Sequence, residues 1–173
     1  MALGDINNNS ITKNIFGVQQ RTSLVLDHIE RLQREIENHV VSSDVLEELE
    51  YYTKPRPAKQ SLQGKLETAN RSDEITAAIE LKEVFAKQVI KFQLHSSAQH
   101  LFALCLGIAH AYFDAHVRPA ITAGADRATI DHLITERVVL EVAEKMELWV
   151  TPQAVRGALY TLAANCHISW HLE

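Results

Sequence analysis

Nine histidines, His28, His39, His95, His100, His110, His116, His132, His167 and His171, are the residues of this chain best suited to acid–base or metal chemistry. Imidazole changes charge near neutral pH and is a common metal ligand, so histidines at helical spacing are the first pattern to weigh. His110 and Asp114 stand one turn apart and could share a metal ion. His116 lies about 240° around the same helix from His110, so the three do not converge on one face. No HExxH or ExxH pair occurs, and the inward Glu-x-x-His motifs of di-iron bundles are missing. Satisfied or solvent-facing histidines are therefore expected. A small helical metal-dependent enzyme with a site at His110 and Asp114 stands as the alternative.

Nucleophilic chemistry has less support. Cys166 adjoins His167, but no glycine-rich elbow exposes it, and adjacent residues rarely form a working dyad. GxxxxGK[ST] and GxGxxG phosphate cradles do not occur. Cys105 and Cys166 lack CxxC spacing and read as buried free thiols. No catalytic, cofactor-binding or metal-binding residue is expected, and no cofactor.

Elements able to position side chains are expected to come from one domain, or a domain with a short appendage, because 173 residues can bury a core without disulfides. A composition of 46% hydrophobic and 23% charged residues is that of a soluble globular chain. Seventeen Lys and Arg against 22 Asp and Glu leave a net charge of −5, which disfavours nucleic acid as a partner. The sequence contains no apolar run near the roughly 20 residues of a membrane span. Met1 to Asn9 lack the basic and apolar regions of a secretory signal, so the expected location is the cytoplasm.

Residues 1–21 are rich in asparagine and glycine around Ser10-Ile11-Thr12, which implies an arm with at most a short β segment. Over 22–41 the period becomes helical, with Val25, Ile29, Leu32 and Ile36 on a narrow stripe. That seam suits either a short coiled-coil-like pairing that makes a homo-oligomer, or docking on its own domain. An Ile29→Asp/Leu32→Asp change should give monomers under the first reading. Asp44 with Glu47 forms a capping-box pattern for a short acidic helix, which Lys54-Pro55-Arg56-Pro57 ends.

Stronger helix patterns follow. One runs from about Ala58 to Ala69; the next starts at Ser72 and carries Ile75, Ile79, Val84, Phe85, Val89 and Phe92. Ser96 and Gln99 repeat the capping-box spacing ahead of the most apolar helix, which Pro119 should end. Gly107 within it offers a point of close approach for a neighbour. A helix over about 128–149 and another opened by Thr151-Pro152 and closed by Asn165 complete an all-α helical bundle. Lys82, Glu83 and Lys87 read as ordinary helix-surface charge, and the tail around Trp170 as a segment that folds back to bury its ring.

Several runs, Leu62-Gln63-Gly64-Lys65-Leu66, Ala78-Ile79-Glu80-Leu81-Lys82-Glu83-Val84-Phe85-Ala86-Lys87, Ser97-Ala98-Gln99, Tyr160-Thr161-Leu162 and Asn165-Cys166-His167-Ile168-Ser169-Trp170, together resemble the helical C-terminal domains of effectors from bacterial ABC-three-component (ABC-3C) conflict systems. The resemblance spans roughly Leu46 to His171 and assigns 44–173 to such a domain. It implies defence against phage or plasmids, with the domain coupling an effector to partner proteins such as an ATPase. Ahead of the domain only the arm and the helix over 22–41 are expected, with no enzymatic module. The chain is thus expected to be either a non-catalytic member that assembles others, or an excised piece, as Leu172-Glu173 could be a cloning junction. Lys82, Lys87, His167 and Trp170 are the positions the resemblance marks for partner docking.

Overall fold

The computed structural model describes residues 24–57 and 60–171, and helix is the only regular structure among them. The all-α expectation holds for these residues, whereas the arm over 1–21 and the Leu172-Glu173 ending lie outside them. Helix α1 covers 24–37. Then come α2 (Glu47–Thr53), α3 (Leu62–Thr68), a 3-10 turn (Ser72–Glu74) leading into α4 (Ile75–Phe92), and α5 (Ser96–Tyr112). A π-helical turn, Phe113–Val117, carries α5 into α6 (Arg118–Thr122). Helix α7 (Arg127–Leu133) continues through a second π segment, Ile134–Leu140, into α8 (Glu141–Lys145), and α9 (Pro152–Ala164) follows.

The middle of the bundle is α5, as its composition requires: Leu101, Phe102, Cys105, Leu106 and Ala109 are all buried. Helix α9 lies along α4 and also touches α5. The edge-to-face pair Phe85 and Phe102, 5.8 Å between centroids, closes the α4–α5 side. Burial pushes the Cys105 thiol up to about 12, so it stays protonated. Cys166, expected to be buried as well, is only half-buried.

Close helix approach occurs at Gly157 of α9, not at Gly107. A Cβ on Gly157 would run into the Leu81 carbonyl oxygen and come within 2.9 Å of Phe85 Cβ. At Gly107 the nearest atom is the Tyr52 hydroxyl at 3.6 Å, ordinary van der Waals contact. Tyr52 reaches the core edge from the short α2, and a sidelong aromatic needs less clearance than a helix axis.

Pro119 does not end its helix. The π turn before it lets the Arg118 N–H bond back to Phe113 O, five residues away, so the wider turn accommodates a proline that lacks a donor. The chain stays helical to Thr122.

Both capping boxes predicted from spacing give way to long-range partners. At the start of α5, the Ser97 N–H and Oγ donate to the Glu35 carboxylate of α1, the hydroxyl at 2.7 Å. Gln99 turns away to clamp the loop before α2, donating to Asp44 O at 2.9 Å and accepting from the Leu46 N–H. The Asp44 side chain caps nothing in α2, whose N-cap is Leu46. Thr151 does cap α9 as its sequence foretold, accepting from the Ala154 N–H at 3.2 Å.

Helix α1 is docked on its own chain. Val25 and Leu32 are buried and Ile29 is half-buried, so three of the four seam residues face the bundle; Ile36 is 43% exposed. His28 stacks on His100 of α5 with centroids 4.8 Å apart. Glu35 of the same helix reaches Ser97, so α1 is tied to α5 at two points.

A Gly157→Ala change should cost about 1–3 kcal/mol in urea denaturation, because neither the Leu81 backbone nor Phe85 can yield freely. Gly107→Ala should instead leave the midpoint unchanged or raise it by up to about 1 kcal/mol of helix propensity. Equal effects at the two glycines would contradict the packing described.

Candidate functional site

Polar side chains inside the bundle mostly close helix ends. After α9 the Cys166 N–H and His167 N–H bond back to Ala163 O and Leu162 O, with Cys166 at φ 61°, an αL cap that reverses the chain. The tail then runs beneath α2. Asn165 closes α9 as expected, standing at its C-cap with its N–H bonded back to Thr161 O, and its side chain also sends Nδ2 to Tyr52 O and Thr53 O, at 2.9 and 3.1 Å, capping the C-terminus of α2. Lys65, almost wholly buried, donates Nζ to Ala163 O at 2.9 Å and so satisfies the end of α9.

His167 and Trp170 belong to the same anchor. His167 is 7% exposed and its Nε2 lies 3.2 Å from Tyr51 O; a carbonyl only accepts, so Nε2 carries the hydrogen. Desolvation, followed by the charges of Arg56 and His110, lowers its pKa to about 4, keeping the ring neutral. Tyr51, Tyr52 and His110 surround it, with centroids 5.0, 5.2 and 5.7 Å away. Trp170 packs between Phe113 and Tyr160 and is 6% exposed. The contacts of both residues are with their own chain, the fold-back arrangement read from the tail's composition.

His110 and Asp114 do meet, Nε2 to Oδ2 at 3.5 Å, but the other carboxylate oxygen takes Arg118 Nε and Nη2 at 2.9 and 2.8 Å. The guanidinium holds the carboxylate with a charge of its own. His116 turns instead to the Tyr112 ring, 5.8 Å away. Among the described residues no three His, Cys, Asp or Glu side chains converge as metal ligands would.

A second polar cluster pins α7 to the turn before α4. Buried Arg71 donates to Glu74 at 2.8 Å and also to Asp131, while Arg127 grips Asp73 with two nitrogens, at 2.8 and 2.7 Å, and reaches Glu74. Tyr160 donates to Glu74 at 3.4 Å, and burial with that carboxylate pushes the phenol up to about 12. Each acid has a cation and each cation an acid, an arrangement that locks geometry rather than holding a proton ready for transfer.

Different conditions prevail on the outer side of α4. Lys87 is exposed and Lys82 half-exposed, with Ile79, Val84 and Ile90 at 39%, 49% and 61% exposure on the same helix. Neither lysine takes part in an ion pair among the described residues. Of the four residues marked for docking, the structure thus leaves two on the surface and builds two into the anchor.

Sequence reasoning missed the buried cap at Lys65 and the reach of Glu35. Lys65 had a signal: it lies between Leu62, Leu66 and Ala69 on one helical face, where a lysine must find an acceptor. Nothing local announces Glu35, whose partner is 62 residues away.

Lowered to about 4 in the fold and ordinarily near 6.5 in the unfolded chain, His167 contributes stability that is complete above pH 6.5. That contribution disappears as pH falls toward 4. Urea midpoints of the wild type should therefore drop more steeply between pH 6.5 and 4 than those of His167→Gln, by on the order of 2 kcal/mol. Parallel pH profiles would contradict a buried neutral imidazole.

No curated protein and no solved structure matches the chain. A family model described as C-terminal domain 9 of the ABC-three component (ABC-3C) systems matches residues 61–170, from just before α3 to Trp170. Helices α1 and α2 lie outside that match, although Glu35, Tyr51 and Tyr52 are bound into the matched bundle. With more than half of its length covered by that model, the chain belongs to the C-terminal domain 9 family of the ABC-three component systems.

Proposed function

We propose that this chain is a non-catalytic interaction module of a bacterial defence system against phage or plasmids, acting in the cytoplasm and docking another protein component of the same system, such as an ATPase or effector. Family membership supports the system, since domains of this kind come from ABC-3C systems. Among the described residues no helix is long and apolar enough to cross a membrane. The observation that carries the non-catalytic reading is the allocation of polar groups. Lys65, Glu35, Gln99, Asn165 and His167 serve as helix caps and loop clamps, and the charged cluster at Arg71 and Arg127 is internally neutralised.

Self-association remains part of the proposal, with a different geometry from the seam read in the sequence. Val25, Ile29 and Leu32 are engaged with their own bundle, so a contact between copies that leaves α1 docked would use the outward Leu24, Leu26 and Ile36. A second copy could replace the intrachain contacts only by exchanging α1 between bundles.

Co-expression of the full chain with the other components of its ABC-3C system, followed by mass measurement of the purified species, tests the proposal. A complex of defined stoichiometry is expected. Purification of this chain alone under every combination, at physiological salt, would refute the docking role.

A further inference from the structure

The outward surface of α4 carries an apolar line that Glu83 interrupts, with lysines on either side of it. Ile79, Ala86 and Ile90 follow one another at helical spacing, and Leu94 continues the line in the turn after the helix. Ile90 and Leu94 are 61% and 52% exposed and adjoin one another, and contiguous apolar surface is what marks interaction sites. The loop after α1 extends the line: the Ser42 N–H donates to Leu94 O at 2.7 Å, and Val40 O lies 3.1 Å from His95 Nδ1. Val40 and Val41, also exposed, are thereby held beside Leu94.

At about 100° per residue, Lys82 falls on one side of this line and Lys87 and Lys91 on the other. None of the three is in an ion pair among the described residues. The acids on the outward side of α4, Glu80 and Glu83, lie in its N-terminal half, and exposed Glu37 and Asp44 bound the segment that carries Val40 and Val41. The half from Lys87 to Leu94 is therefore apolar and basic within a chain whose net charge is −5.

We propose that this half of α4, together with Val40 and Val41, docks an amphipathic helix of a partner protein that carries Asp or Glu beside its apolar face. Apolar residues at helical spacing, flanked by charge of one sign, select a helix with the opposite flanking charge, as in coiled coils and helix-in-groove complexes. On a second copy the acidic cluster of α2, Glu47, Glu48 and Glu50, sits on a seven-residue helix whose apolar Leu49 is already buried. Its α1, with Leu24, Leu26 and Ile36 outward, mixes Arg31 and Arg34 with Asp27, Glu30 and Glu37, so its flank is not of one sign. An anionic membrane fits less well too, since such contacts commonly use four to eight basic residues together. This inference rests on the interaction-module reading above and names the surface that reading would use.

The test uses the full chain and a fluorescein-labelled model peptide about three heptads long, with Leu at positions a and d and Glu at e and g, beside a counterpart with Lys at e and g. Fluorescence anisotropy should show the Glu peptide binding about tenfold tighter or better. Lys87→Glu/Lys91→Glu should reverse the preference, and Ile90→Asp/Leu94→Asp should abolish binding of both peptides with the circular dichroism spectrum unchanged. Equal affinity for the two peptides, no binding of the Glu peptide, or its retention by Ile90→Asp/Leu94→Asp would overturn the proposal. So would a drop in oligomer mass on Ile90→Asp/Leu94→Asp, which would assign the surface to a second copy. Co-sedimentation with phosphatidylserine vesicles that Lys87→Glu/Lys91→Glu abolishes would assign it to a membrane. The lysine pair is exposed, so its variant keeps the proposal falsifiable even if the Ile90 and Leu94 variant fails to fold. Since the peptides need no native component, this result and the co-expression result can fail separately.

Discussion

Helix α9 lies against α4 so closely at Gly157 that no side chain fits between them, and the rest of the bundle takes its position from that contact. The absence of a Cβ brings the α9 backbone to the Leu81 carbonyl and lets Phe85 fill the space toward Phe102. With the two helices at that distance, the end of α9 falls where buried Lys65 can donate to Ala163 O. The αL residue Cys166 then sends the tail back beneath α2. Trp170 reaches Phe113 and Tyr160 only because that reversal is complete within a few residues.

The tail's polar atoms follow from the same geometry. Helix α2, only seven residues long, would be marginal alone, and its C-terminal carbonyls need donors. Asn165 and His167 supply them from a segment more than a hundred residues away in sequence. Glu35 does the reverse at the front of the molecule, reaching from α1 to accept from the Ser97 N–H and hydroxyl at the start of α5. Helix ends are thus joined across the fold by side chains whose types also suit catalysis, which is why a count of histidines and carboxylates is a poor guide to chemistry here.

Helices and their order were legible in the sequence because apolar spacing is a local signal. The α5 core, the cap at Thr151 and the break at Pro55 and Pro57 all follow from nearest neighbours along the chain. Three features were not. Pro119 was read as a stop, since the π turn that accommodates it depends on packing against the second π segment. The glycine of close approach was placed at Gly107, because position in an apolar helix does not reveal which face meets a neighbour. Both capping boxes were misassigned, as long-range partners outcompete a local side chain once the helices are assembled. Of the docking positions, Lys82 and Lys87 stay on the surface, while the tail's ambiguity between anchor and contact could be resolved only by seeing where the chain turns.

What the bundle leaves outward is consistent with assembly: a basic and apolar line on α4, free of the caps and ion clusters that occupy other faces. Amide hydrogen exchange, measured on the chain alone and in the presence of a purified component of its ABC-3C system, addresses that division of labour most directly. New protection is predicted along 84–94 and 38–42, with α9 and the tail already protected in the free protein. Protection confined to the neighbourhood of His110 and Asp114, or none anywhere while the two proteins demonstrably bind, would contradict it.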